Sequence, residues 1–178
     1  MKRPLLLLLL AAALAAPGFS QTLSIKDALV KHWKVTGDFT MAVAKLMPPA
    51  DWAFRPNPEE MTFGELMVHI AGANLNACAN AANVKRPDIP EAIMKAVSEK
   101  RPADRDLALQ FLTSSFAFCN DVVAGMTIEK LETVTGLTQR KMSGFEWLWS
   151  YFTHTAHHRG QAEVYLRVKG IKPPEYAF

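Results

Sequence analysis

The sequence predicts an all-α protein, a four-helix bundle with a short extra helix in the crossover between the second and third long helices. Three observations carry that expectation. Four long stretches repeat apolar residues at helical spacing, and most are bounded by recognisable start or stop signals. No convincing strand with a partner is visible. Finally, one of the long stretches carries His154 and His158 four residues apart, the spacing that places two side chains on one helix face.

The first long helix is expected from Ser24 to about Met47, with Ser24 as N-cap and Ile25, Leu29, Val30, Trp33, Met41, Val43, Ala44 and Leu46 as its apolar positions. Pro48-Pro49 stops it. Between Ala50 and Glu60, Trp52, Phe54, Pro56 and Pro58 describe an extended connection pinned by aromatics. Thr62-Phe63-Gly64-Glu65 is a capping box, so the second helix starts near Phe63 and carries His69. Pro87, Pro90 and Pro102 bracket a crossover with a short helix from about Glu91 to Lys100. The third long helix runs from about Ala103 to Ala124, its core face drawn from Leu107, Leu109, Phe111, Leu112, Phe116 and Val122 or their neighbours. Thr127 to Lys141 is ambiguous: Thr133-Val-Thr-Gly-Leu-Thr138 has the composition of a strand fragment but no run to pair with, so the stretch reads as a loop with one helical turn. Ser143-Gly144-Phe145-Glu146 is a second capping box, and Gly170 with Pro173-Pro174 supplies the stop for a fourth helix over about Gly144 to Lys169.

Met1-Lys2-Arg3 followed by the apolar run Leu5 to Ala16 has the regions of a secretory signal peptide, with cleavage expected after Ser20. That run falls short of the roughly 20 residues that span a bilayer. An exported protein, periplasmic or secreted, with no stable membrane span after cleavage is the expectation. Residues 1–20 would then be the signal and residues 21–178 one domain. Losing Lys2 and Arg3 from the 20 basic residues leaves 18 against 17 acidic ones. Lys and Arg are interspersed with acids and form no basic stripe, which argues against nucleic acid as a partner. An oxidising compartment would permit Cys78 and Cys119 to pair, the alternative being two core thiols.

Taking about 100° per residue along the fourth helix, His154, His158, Trp147, Tyr151, Gln161 and Tyr165 fall on one stripe, and His157 falls on its flank. On the second helix Glu65, His69, Gly72 and Asn76 form a polar line within an apolar segment. Gly72 either lets another helix approach or is simply tolerated. Three imidazoles with an open position would describe a catalytic metal site, His69 being the third ligand. Hydrogen-bonded core histidines are the alternative. Glu65, Tyr151 and Gln161 are candidates to orient ligands or water, although the capping box competes for Glu65. His32 reads as a structural or surface residue.

With these residues assembled, the chain resembles the DinB/YfiT-like superfamily of metalloenzymes. The resemblance rests on Val68-His69-Ile70, on His154-Thr-Ala-His-His158-Arg-Gly-Gln161, and on the ending Tyr165-Leu-Arg-Val-Lys-Gly170-Ile-Lys-Pro-Pro174-Glu-Tyr176. It implies His69, His154 and His158 as metal ligands, an up-down-down-up bundle that is often a homodimer, and a divalent cofactor, zinc or nickel in the first place. Three neutral imidazoles suit zinc, nickel, copper or iron alike. The function expected is a metal-dependent hydrolase acting through a metal-bound water on an unknown small molecule. The alternative is an exported bundle that binds metal or a small ligand without turnover. Thiol transfer, also known in the family, is disfavoured by export, since small thiol cofactors are largely cytosolic.

Overall fold

The computed structural model describes residues 24–137 and 139–176. The segment read as a signal peptide, with its cleavage point, lies outside the described residues. Four long helices form the bundle: α1 (Ile25–Leu46), α2 (Phe63–Ala82), α4 (Arg105–Gly125) and α6 (Gly144–Val168). The crossover carries α3 (Glu91–Ser98), and a short α5 (Ile128–Glu132) precedes a hairpin of β1 (Val134–Leu137) and β2 (Arg140–Ser143). The start signals act as their chemistry requires. Ser24 accepts from Asp27 N, and both capping boxes close reciprocally, Thr62 with Glu65 and Ser143 with Glu146.

The helix directions follow from cross-links between named residues. Cys78 and Cys119, late in α2 and α4, are joined by a disulfide with Cα atoms 5.4 Å apart. At the other end, Trp52 beside the α2 start donates from Nε1 to Ala103 O just before α4. These two helices therefore run parallel. Across the α2–α6 seam, Tyr165 reaches Met61 and Thr155 reaches Asn74, so that pair is antiparallel. Arg105 donates to Lys45 O, which sets α4 antiparallel to α1. Trp33 meets Phe152 and Thr36 meets Arg159, which sets α1 parallel to α6. The result is up-down-down-up. Parallel neighbours joined in sequence need a chain that travels the full length of the bundle, and residues 83–104 with α3 are that return path.

The core runs the length of the bundle in two adjoining clusters, one around Met67, Ile70, Leu112 and Leu166, the other around Trp33, Cys78, Cys119 and Leu148. On α4 the buried face is Ala108, Phe111, Leu112, Ser115, Phe116, Cys119 and Val123, whereas Leu107 and Leu109 are only packed at its edge. The aromatic connection is pinned as expected, with Trp52 against Phe63 at 5.3 Å and Phe54 against Tyr165 at 6.1 Å. Gly64 is needed there, since a Cβ would stand 2.3 Å from Trp52 Nε1.

One expectation is corrected. The loop expected after α4 holds one helical turn, α5, but also a hairpin in which Val134 pairs with Ser143 and Leu137 with Arg140. Its second strand, Arg140-Lys-Met-Ser, is short and largely polar, so no hydrophobic alternation announced it. The hairpin closes the end of the bundle: Thr135 donates to Asn80 O at 2.6 Å, and Gly136 takes φ +101° where a Cβ would strike Arg140 O.

The disulfide spans 41 residues, and loop-closure entropy assigns such a link about 4 kcal/mol. Replacing Cys78 and Cys119 together by Ala is expected to lower stability by roughly 2–5 kcal/mol in chemical denaturation. An unchanged unfolding midpoint would contradict it.

Candidate metal centre

His69 lies in the second turn of α2, and His154 and His158 lie one turn apart in the middle of α6. Because α2 and α6 are antiparallel, the three imidazoles meet across their seam. Each pair of Nε2 atoms is 3.1 Å apart, an equilateral triangle. Nitrogens bound tetrahedrally to a first-row ion at about 2.0–2.1 Å stand roughly 3.3 Å from one another, so the triangle has the size of a metal site.

The tautomer of His158 points the same way. Gln161 Oε1 lies 2.7 Å from His158 Nδ1, and a carbonyl oxygen only accepts, so Nδ1 carries the proton and Nε2 presents a lone pair to the centre. Protonation is opposed at all three rings. Burial, reinforced by His158, His69, His157 and Arg140, lowers the His154 pKa to about 4. Burial and His158 lower that of His69. For His158, burial and His157 outweigh the raising effects of Gln161 and Glu60. His154 Nδ1 is buried without a hydrogen-bond partner among the described residues, a direct sign of that desolvation. Three neutral nitrogen donors converging at van der Waals contact are a poor hydrogen-bonded core and a good cradle for a divalent cation.

The structure thus brings together His69, His154, His158 and Gln161. Tyr151 is buried and lays its ring 5.4 Å from that of His154, limiting its rotation. Glu65 is committed elsewhere: its Oε2 accepts from Thr62 N and Oγ1 at 2.7 Å and faces Arg55 at 3.6 Å. His157 is exposed beside His158, and His32 is exposed with its ring edge-on to Phe152. Sequence reasoning missed Asn74, Thr155 and Arg159. Asn74 and Thr155, both fully buried, form a 2.9 Å bond between α2 and α6 beside the triangle. Arg159, 4% exposed, lies over Phe39 at 4.5 Å and reaches Thr36 and Glu163, fastening α6 to α1. A buried arginine inside a motif read for its histidines gave no separate signal.

An up-down-down-up bundle with three histidines converging between two of its helices is the class of protein that this geometry defines. Within it, the family model described as the DinB superfamily matches residues 32–162, and the chain belongs to that superfamily. Solved structures share the fold. A DinB-like protein from Bacillus subtilis superposes with a TM-score of 0.65 at 18% identity, over 85% of this chain and 96% of that one. YfiT from Bacillus subtilis, described as a probable metal-dependent hydrolase with an unusual four-helix bundle topology, gives 0.65 at 13% identity over 85% and 93%. A mycothiol-dependent maleylpyruvate isomerase gives 0.61 at 15% identity over 77% and 60%. Comparison with curated proteins finds no match.

The depressed His154 pKa makes the metal-free protein acid-sensitive. The folded value, about 4, lies below the unfolded value of about 6.5. The linked stability is therefore complete above about pH 6.5 and is lost as pH falls toward about 4, as the unfolded chain takes up a proton that the folded site refuses. Melting temperatures of metal-free protein should fall across that window, and the fall should be smaller in His154→Leu. Equal slopes in both proteins would refute the assignment.

Proposed function

We propose that this protein is a metal-dependent hydrolase-like enzyme, exported from the cytosol, in which His69, His154 and His158 hold a divalent cation, zinc or nickel, and an unknown small molecule is the substrate. The observation that carries the reading is the triangle of Nε2 atoms, 3.1 Å on each side, assembled from two helices. An ion bound there with an open position would supply Lewis acidity and lower the pKa of water toward about 7. The chain's own residues keep the cradle ready. Desolvation opposes protonation of the imidazoles, Gln161 fixes the tautomer of His158, and the ring of Tyr151 packs against His154.

The fold neighbour described as a probable metal-dependent hydrolase supports this reaction class. The mycothiol-dependent isomerase represents a different chemistry on the same fold, disfavoured here by export. Two features support export: the signal-like amino terminus and the disulfide between Cys78 and Cys119. A second reading, a bundle that binds metal or a small ligand without turnover, draws on the engagement of Glu65 in its helix cap, which removes the nearest candidate acid–base carboxylate on α2.

Metal analysis of the protein purified from zinc- or nickel-replete medium should find about one ion per chain, lost in His69→Ala and in His158→Ala. Gln161→Leu should weaken metal affinity about 10- to 100-fold. No metal in the unmutated protein would sink the reading. Ester, amide and lactone hydrolysis by loaded protein then separates enzyme from binder, since activity that survives loss of the ligands does not come from this site.

A further inference from the structure

A cleft of about 640 Å³ opens on the side of α2 that carries His69, between that helix and α3. Its wall is apolar, built from Val68, Ile89, Ile93, Val97 and Phe111, and the volume lies in the range that takes a small molecule. Three observations link it to the triangle. His69 is itself a wall residue, so the cleft touches the triangle at one of its three corners. Gly72, one turn further along the same helix face, has nothing within 4 Å of where its Cβ would stand. Of the two readings of Gly72, close approach of another helix is not what the structure shows: a Cβ there would enter open cleft. Lastly, Val97 and Met94 of α3 line this space while 59% and 51% exposed, so part of its apolar wall is open to solvent.

The charged groups on the wall are largely engaged. Glu65 is held by Thr62 and Arg55, and Arg101 pairs with Glu99 at 2.6 Å. Lys100, which lines the cleft, is exposed, and His69, Asn76 and Ser98 are the uncharged polar side chains on its wall. From this arrangement we infer that the cleft receives the alkyl or aryl body of the substrate, leaving the reacting group beside His69, and that α3 and Gly72 set how large that body is. The inference rests on the metal reading above and names the substrate class of the same site: apolar acyl or aryl compounds rather than polyanions or sugars.

A series of n-alkyl hydroxamates separates the two claims, because the hydroxamate reports the ion and the chain reports the cleft. Calorimetry on the zinc-loaded full chain should show affinity rising about two- to fourfold per methylene from acetohydroxamate to hexanohydroxamate. Gly72→Leu fills the open space and Val97→Asp places a charge on the wall. Both should retain zinc and flatten the series. Tight acetohydroxamate with a flat series in the unmutated protein overturns the cleft while leaving the metal reading intact, as does a slope unaltered in Gly72→Leu. If no zinc binds, the metal reading fails by itself, and a naphthalene-sulfonate dye displaced by 1-hexanol still decides the cleft. Binding lost in Gly72→Leu supports it, and equal binding in both proteins overturns it.

Discussion

The register of α2 against α6 is the constraint on which the rest depends. One helical turn is about 5.4 Å, longer than the 3.1 Å side of the histidine triangle, so a slip of one turn would dissolve the site while leaving both helices intact. Two bonds along the seam oppose it: Tyr165 holds Met61 O at one end and Thr155 holds Asn74 in the middle, while Thr135 of the hairpin ties Asn80 O near the far end of α2. Asn74 is the costly member, because its Nδ2 is buried without a partner among the described residues, a penalty of roughly 1–3 kcal/mol. An apolar residue would avoid that penalty. What Asn74 provides instead is a fixed alignment next to the imidazoles.

Connectivity explains why a cleft adjoins the triangle. Parallel α2 and α4 force a long return path, and a return path with its own apolar residues must lie down on the bundle. Helix α3 does so by burying Ile93 and Ala96, and these residues, with Met94 and Val97 beside them, wall an open space against α2. A plain up-down-up-down bundle would join the same helices by tight turns and carry no such wall. The crossover is therefore both a topological necessity and the element that gives the site a shaped neighbour.

Most of this was legible in the sequence where local chemistry decides. Ser24, Thr62 and Ser143 are caps whose hydroxyls bind backbone N–H groups three residues on, so the starts of α1, α2 and α6 were readable within a residue. The pairing of His154 with His158 followed from helical spacing, whereas the membership of His69 depends on packing of distant segments and came from resemblance as much as from the residues. What was not legible is what tertiary context alone decides. Arg140-Lys-Met-Ser becomes a strand because it lies beside Val134–Leu137 at the end of the bundle, not because its composition favours one. Arg159 is buried because Phe39, Thr36 and Glu163 of two helices happen to surround it. Its identity alone predicts exposure.

The string His154-Thr-Ala-His-His158-Arg-Gly-Gln161 can be accounted for position by position. His154 and His158 face the seam with α2, and Gln161 returns along the same stripe to fix the proton of His158. Thr155 and Arg159 turn toward Asn74 and α1, so the turns that present the donors are themselves fastened on both sides. His157 is exposed, and a Cβ at Gly160 would meet nothing within 4 Å. The donor set that results contains no carboxylate: three imidazoles whose protonation desolvation opposes, with an amide rather than a carboxylate behind one of them. A cation in such a cradle would keep its full charge, where carboxylate ligands would offset part of it. That favours polarising a neutral carbonyl over storing the ion, and the substrate proposed above, a carbonyl compound with an apolar body, would meet those terms from the adjoining apolar cleft.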